Sequence, residues 1–436
     1  MESAVRQASL ATIVSSRAFA QKAALELPAG VDLIWLEEIA AAVGFCKRLT
    51  SMLAACCLPV RWLGKLCGAA GPAQPDDVAT VIFSSGSTGE PKGVMLTHFN
   101  IASNVDAIAQ VLRATSRDRV LGILPLFHSF GYMSFWFAAQ KGLAMPLHPN
   151  PLEAPAIGEL VHRYGVTILL ATPTFLQLYM RRCSPAQFGS LRIVMTGAEK
   201  LSEETALAFE DRFGLRPLEG YGCTECSPVV AAGVPDFRAR GFFQAGSHRG
   251  FVGTPLPGVA VRIVDPESGD PIPPGQPGML LVKGPNVMRG YLGREDLTHQ
   301  VIREGWYTTG DIAIVNEEGF LKITDRLSRF SKIGGEMVPH GRIEEALHQS
   351  IGAAHQIFAV TSLPDPRKGE SLAVIHTFDD RKIPEVLGKL GQMGLPNVFI
   401  PRRDRFVKVD ELPLLGTGKL NLREVKRIAR ERFENP

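Results

Sequence analysis

Through the first three quarters of the chain, short continuous apolar runs alternate with longer segments whose apolar residues recur at helical spacing. Residues 78–83, 166–171 and 191–195 are bounded runs rich in β-branched side chains, which predicts buried strands. Between such runs, residues 202–213 predict an amphipathic helix packed on a sheet. Ser202 stands at the N-cap, Glu203 and Glu204 in the first turn, and Gly214 at the stop. Alternation of this kind predicts an α/β fold in layers, with the loops at the carboxyl ends of the strands gathering the ligand. From Gly253 the texture changes to short runs punctuated by Pro255, Pro257, Gly258, Pro271, Pro273, Pro274, Gly275 and Pro277, which predicts a small β-rich subdomain. After Asp325 a second domain is expected, with a helix over 341–350, strands over 357–361 and 372–378, and a basic helix over 422–433. The basic residues of that last helix read most simply as its solvated face, with an acidic carrier protein as the other reading. No internal repeat is present.

At 436 residues the chain exceeds the roughly 250–300 at which a single core stops growing, so two domains are expected, 1–325 and 326–436. A hydrophobic content of 45% with 21% charged residues is ordinary for a globular protein, and a net charge of +3 leaves no broad nucleic-acid footprint. Seven cysteines without regular spacing read as reduced thiols, which points to a cytoplasmic protein. Cys223 and Cys226 have CxxC spacing, but a zinc site needs a second ligand pair that the sequence does not offer. The N-terminus carries Glu2 and Arg6 and no continuous apolar core, unlike a secretory signal. The most apolar stretch, residues 49–60, lies between Arg48 and Arg61 and falls short of the ~20 residues that cross a bilayer. It reads as a buried helix, with peripheral contact at the inner face of a membrane as the second reading.

The densest chemistry lies in residues 84–93, where Ser84, Ser85, Gly86, Ser87, Thr88, Gly89 and Lys92 follow the first apolar run. Glycines let a backbone approach a ligand closely, hydroxyls and N–H groups donate to phosphate oxygens, and Lys92 adds positive charge. The composition suits a phosphate cradle, and a polar surface turn is the plainer reading. It is not the GxxxxGK[ST] loop, because Gly93 follows Lys92. GxSxG and GxGxxG are both absent, so the serine hydrolase and dinucleotide-binding classes drop away.

Further segments follow this loop in a fixed order: 124–131 around Phe127, His128 and Gly131; 196–200 with Gly197, Ala198 and Glu199; 221–225 with Tyr221, Gly222, Thr224 and Glu225. Next come 305–311 ending in Asp311, then Asp325 and Arg326 ahead of 332–336, and finally 413–419 ending in Lys419. Together with the loop they resemble the adenylate-forming superfamily of acyl-CoA synthetases, luciferases and peptide-synthetase adenylation domains, over most of the chain. The resemblance implies a large layered N-terminal adenylation domain with a β-rich subdomain and a small mobile α+β C-terminal domain hinged near 326–329. It implies ATP and Mg2+, a carboxylic acid activated as an acyl-adenylate, and a thiol acceptor. By the same resemblance, residues 84–92 would hold the β- and γ-phosphates, Gly197, Ala198 and Glu199 would line the adenine and acyl pockets, and Tyr221 and Gly222 would help bind the nucleotide. Thr224 would touch the α-phosphate, Glu225 and Thr88 would serve the magnesium, and Asp311 with Arg326 would bind the ribose. Lys419 would bridge the carboxylate and the α-phosphate, and His128, with Phe127 and Gly131, would line the acyl channel. Taken singly, Asp311 also reads as a turn residue, Glu225 as a helix-start carboxylate, Lys419 as a surface lysine and His128 as a core histidine.

Within the superfamily, segments 124–131, 197–201, 218–222, 283–292 and 329–338 most resemble the ligase half of acyl-carrier-protein synthetase/2-acylglycerophosphoethanolamine acyltransferases. Ser328 stands at the hinge, where most members have an acidic residue or lysine, and small hinge residues resemble this subgroup. The likeness implies a fatty acid substrate and the phosphopantetheine thiol of acyl carrier protein, with CoA as runner-up. Only 83 residues precede Ser84, fewer than is usual in the superfamily. That shortness leaves three expectations open: a naturally shortened homologue, a fragment of a split gene, or one half of a two-chain enzyme whose first region a separate chain supplies. It also favours the alternative of a catalytically weak protein that retains nucleotide and acyl binding.

Overall fold

A computed structural model describes residues 2–22, 25–28, 30–68, 71–84, 91–334, 336–353, 356–365, 368–414 and 420–433. The chain forms two compact units. The first comprises Met1–Val261, Leu281–Thr308 and Gly319–Leu321, and the second Arg262–Leu280, Thr309–Glu318 and Lys322–Pro436.

The first unit is organised by a five-stranded sheet in the order Thr254–Pro255, Val229–Ala232, Leu218–Gly222, Ile193–Thr196, Ile168–Ala171. Ile168 pairs with Ile193 and Met195 with Leu218 in parallel, whereas Tyr221 pairs with Ala231 antiparallel. Ile168–Ala171 and Ile193–Thr196 are buried at every position, as expected of continuous apolar runs covered on both faces. Helices Ala154–Tyr164, Pro173–Arg182 and Glu203–Phe213 contribute Ile157, Val161, Leu176, Tyr179 and Phe209 to a core shared with Leu169, Ala171 and Val194. The helix expected over 202–213 forms. Ser202 Oγ accepts from Thr205 N at 3.1 Å, and Gly214 closes it in the left-handed conformation.

Two sequence expectations need correction in this unit. The strand Val78–Ser84 exists, but it is partly exposed rather than buried, because it is the edge of a three-stranded sheet in the order Gly290–Tyr291, Lys92–Thr97, Val78–Ser84. An edge strand needs less apolar cover than a central one. The stretch 49–60 does not form a buried helix. Phe45–Cys57 is helical and ends ahead of Pro59, yet none of its residues is buried.

The second unit includes an antiparallel sheet in the order Glu336–Pro339, Phe330–Ile333, Gly369–His376, Phe358–Asp365, with Phe406–Lys408 joining Gly369–His376 in parallel. The period of two along the strands divides its core. Phe358, Val360, Leu372 and Val374 pack with Ile343 and Leu347 of helix His340–Ile351 and with Val386 and Leu390 of helix Ile383–Gln392. Ala359, Leu363, Ala373 and Ile375 pack instead with Val425 and Ala429 of helix Leu422–Phe433. The opposite face of that last helix is solvated, and Arg427 pairs there with Glu424 and Glu431.

Candidate active site

Antiparallel pairing sets Ser84 opposite Lys92, so the Ser/Gly-rich segment is the connection between two paired strands. Ser85, Gly86, Ser87, Thr88 and Gly89 lie outside the described residues. Lys92 is described, and its Nζ stands 5.1 Å over the ring centroid of Tyr291. A cation over an aromatic face is held without losing its charge.

Leu218–Gly222 carries Tyr221 and Gly222 to the start of a tight turn, Thr224–Cys226. A Cβ on Gly222 would lie 2.1 Å from Pro228 O, so only glycine lets the chain fold back here. The turn is closed by Cys223 N donating to Pro228 O at 2.9 Å. It presents Thr224, whose Oγ1 donates to Ser129 Oγ at 3.2 Å, and Glu225, whose Oε1 accepts from Tyr291 hydroxyl at 2.9 Å. Met288 N donates to the Glu225 carbonyl at 2.8 Å, tying the turn to the segment that carries Tyr291. Tyr307 hydrogen-bonds Tyr291 in turn. Burial, reinforced by the Glu225 charge, pushes the Tyr291 hydroxyl well above the ordinary tyrosine range, so it stays protonated and donates. Glu225 and Lys92 thus share one tyrosine.

His128 is the N-cap of helix Ser129–Lys141, with Nδ1 accepting from Phe130 N at 3.3 Å. Phe127 is exposed, and a Cβ on Gly131 would strike Pro125 O at 2.1 Å, so glycine lets the helix start cross the preceding backbone. Gly197 lies beside Phe130 and Gly220, Ala198 has φ 68°, and Glu199 Oε2 accepts from Thr174 Oγ1 at 2.7 Å. A left-handed alanine costs on the order of 1 kcal/mol and persists only where its surroundings enforce it. Leu201, at the end of this loop, donates its N–H to the carboxylate of Glu219, as does Gly250. Burial pushes Glu219 up to about 7 despite these bonds and the nearby charges of Lys200 and Arg216.

In the second unit, Asp311 is buried and accepts from Arg326, Nε to Oδ1 3.1 Å, so these two predicted partners do meet. Asp311 N donates to Thr309 Oγ1 at 3.0 Å. Ser328 lies in the single turn Leu327–Arg329 between two strands, and the next residue, Arg329, is gripped by Glu344 and Asp325. Lys419 lies outside the described residues, and the flanking Leu414 and Leu420 bridge antiparallel.

Sequence reasoning did not assign roles to Tyr291, Tyr307, Ser129 or Glu219. All four stand inside recognised segments, but only the folded contacts show what they hold. Among the described residues no group of three His, Cys, Asp or Glu could hold a metal ion. Magnesium is typically bound by one or two carboxylates together with substrate phosphates, and Glu225 is a carboxylate of that kind.

The sequence model of the family described as "AMP-binding enzyme" matches residues 12–292. The chain is 36% identical over 362 residues to a feruloyl-CoA synthase of Amycolatopsis sp, covering 82% of this chain and 71% of that protein. It is 31% identical over 368 residues to a long-chain-fatty-acid–CoA ligase of Escherichia coli O6:H1, covering 83% of this chain but only 63% of the ligase. Among solved structures, ATP-bound MatB from Rhodopseudomonas palustris matches with TM-score 0.78 and 25% identity over 98% of this chain and 81% of that one. O-succinylbenzoate CoA synthetase from Bacillus subtilis, solved with ATP and magnesium, shares the fold with TM-score 0.77 over 97% of this chain and 80% of that one.

Proposed function

The chain belongs to the AMP-binding enzyme family, among adenylating ligases of the acyl-CoA synthetase type, and from that premise we propose that it activates a fatty acid and passes it to CoA. The observation that carries this reading is that Lys92 and Glu225 share Tyr291 while the same turn holds Thr224 against Ser129, which supplies a cation, a hard carboxylate and a hydroxyl.

A carboxylate is a poor acyl donor because its leaving group is oxide. Attack of its oxygen on the α-phosphorus of ATP, with cleavage of the bond to pyrophosphate, gives a mixed anhydride with AMP. The thiol then bonds to the acyl carbon, AMP leaves, and the thiol proton passes to solvent. The first step brings two anions together, so positioning and charge neutralisation matter more than acid–base groups. Lys92 and the hydroxyls of residues 84–88 would grip the triphosphate, and Thr224 would donate to the α-phosphate. Mg2+, held through Glu225 with Thr88 nearby, would neutralise charge on the transferring phosphates. Asp311 and Arg326 would hold the ribose, and Lys419 would bridge carboxylate and α-phosphate. His128, Phe127 and Gly131 would border the acyl group. Movement about Ser328 would let one site serve both half-reactions.

CoA is preferred to acyl carrier protein because the relatives reported above are named as CoA synthase and CoA ligase. A fatty acid is preferred to an aryl acid because the sequence segments resemble fatty acyl ligases, although the feruloyl-CoA synthase is the more identical of the two relatives. Hydroxamate trapping with fatty acids and hydroxycinnamates, followed by competition between CoA and acyl carrier protein, separates these readings. Faster trapping with hydroxycinnamates would overturn the fatty acid assignment, and exclusive transfer to carrier protein would overturn CoA.

A further inference from the structure

Helices Leu36–Ala42, Phe45–Cys57 and Val60–Leu66 bury none of their residues. On Phe45–Cys57, helical spacing gathers Phe45, Leu49, Met52, Leu53 and Cys56 on one arc, with Lys47, Thr50, Ser51 and Ala54 opposite. That arc faces solvent: Phe45 is 77%, Met52 57% and Leu53 51% exposed. On the next helix Trp62 at 65% and Leu66 at 70%, four apart and so on one face, are exposed as well. Glu37 and Glu38 lie on the first of these helices, whereas the charge over residues 45–66 is one-signed. Lys47, Arg48, Arg61 and Lys65 lie between Ile39 and Pro75, and no Asp or Glu does.

We propose that residues 45–66 form a docking surface for an anionic lipid membrane. Phe45–Cys57 would lie in the interface, with its apolar arc toward the acyl chains, and Arg61 and Lys65, four apart on the next helix, would reach lipid phosphates. Length argues for lying rather than crossing, since 13 residues reach about 20 Å against a hydrocarbon core of about 30 Å. The neighbouring helix Leu36–Ala42 turns away by 94°, and no single described helix is long and apolar enough to cross. Trp62 has the amphipathic ring favoured at the headgroup level. A second copy of the chain is a poorer occupant, because a two-fold contact would set this basic surface against itself. The inference does not depend on which acid is activated.

The test is co-sedimentation of the full chain with vesicles of mixed phosphatidylglycerol and phosphatidylcholine, and with phosphatidylcholine alone. Binding should need the anionic lipid and weaken with salt. Leu53→Glu should reduce it more than tenfold. Arg61→Gln with Lys65→Gln should reduce it roughly fivefold per residue. Circular dichroism should be unchanged in both variants, since these side chains touch no core. Equal binding to neutral vesicles, no binding to anionic ones, or retained binding in both variants would overturn the proposal. Concentration-dependent self-association abolished by Leu53→Glu, without vesicle binding, would assign the surface to a second copy instead.

Discussion

Two regions of the first unit use amphipathic helices in opposite ways. Around Ile168–Ala171, helices Ala154–Tyr164, Pro173–Arg182 and Glu203–Phe213 turn their apolar stripes onto a sheet, and the strand-end loops beyond that sheet carry Thr224 and Glu225. Phe45–Cys57 has a stripe of the same spacing, and no described residue covers it. Helical periodicity reports that a stripe exists, whereas burial depends on what the rest of the chain sets against it. The polar groups differ as well. Thr224, Glu225 and Lys92 are each held by a named partner, while Lys47, Arg61 and Lys65 have no acidic neighbour in sequence from 39 to 75.

The largest effect expected from this contrast is on stability. Leu169→Ala opens a cavity in a fully buried strand and should cost about 2–5 kcal/mol, whereas Leu53→Ala should stay within about 0.5 kcal/mol in denaturant melts. Equal losses would mean that the exposed stripe is covered after all. Next in size is Lys419→Ala, which removes the cation assigned between two repelling anions. Acyl-adenylate formation should fall by roughly a few hundredfold to a thousandfold, about 3–4 kcal/mol, while thiol transfer from supplied acyl-adenylate is largely spared. Equal loss in both half-reactions at an unchanged melt would give Lys419 another role.

Glu225→Gln keeps size and removes the anion, so magnesium-dependent pyrophosphate exchange should drop about a hundredfold while metal-free nucleotide binding changes little. An unaltered magnesium titration would remove the metal assignment. Tyr291→Phe keeps the ring under Lys92 and deletes the hydroxyl that orients Glu225. The magnesium concentration for half-maximal nucleotide binding, read by calorimetry, should rise about tenfold with metal-free binding unchanged. No shift would leave Tyr291 a packing residue only.

The smallest effect concerns pH. Glu219 is pushed from an ordinary 4.5 to about 7 by burial, so the folded state holds its proton more tightly than the unfolded chain does. Its stabilising contribution is therefore full below about 4.5 and is lost as pH rises through 7. Between pH 5 and 8 the wild-type melting temperature should fall by a few degrees relative to Glu219→Gln, a difference kept small by partial solvent screening. Parallel pH profiles would show that the carboxylate is already ionised at pH 5.

Much of the fold is legible where a local signal and its tertiary setting agree. Ser202 and Gly214 bracket a real helix, and within the runs expected at 166–171 and 191–195 the strands Ile168–Ala171 and Ile193–Thr196 are buried at every position, with helices packed on Leu169, Ala171 and Val194. The failures at 78–83 and 49–60 share one cause, since the sequence carries the apolar pattern but not the covering layer. Among candidate site residues, the motif order names Thr224 and Glu225 in the first unit and Asp311 and Arg326 in the second, where the Asp311–Arg326 pair forms. Tyr291 escaped because its contact with Glu225 spans 66 positions and exists only through the packing of residues 284–292 beneath the turn. Lys419 and residues 85–89 lie outside the described residues, so their roles rest on the resemblance alone.

The most direct test of the account is ATP–pyrophosphate exchange by the intact chain, with magnesium, across fatty acids of increasing length. The account predicts exchange that requires both the acid and magnesium, falls sharply in Glu225→Gln, and is unaffected in Leu53→Glu assayed without vesicles. Nucleotide and fatty acid binding with no acid-dependent exchange would contradict it and leave a binding protein on an adenylating fold.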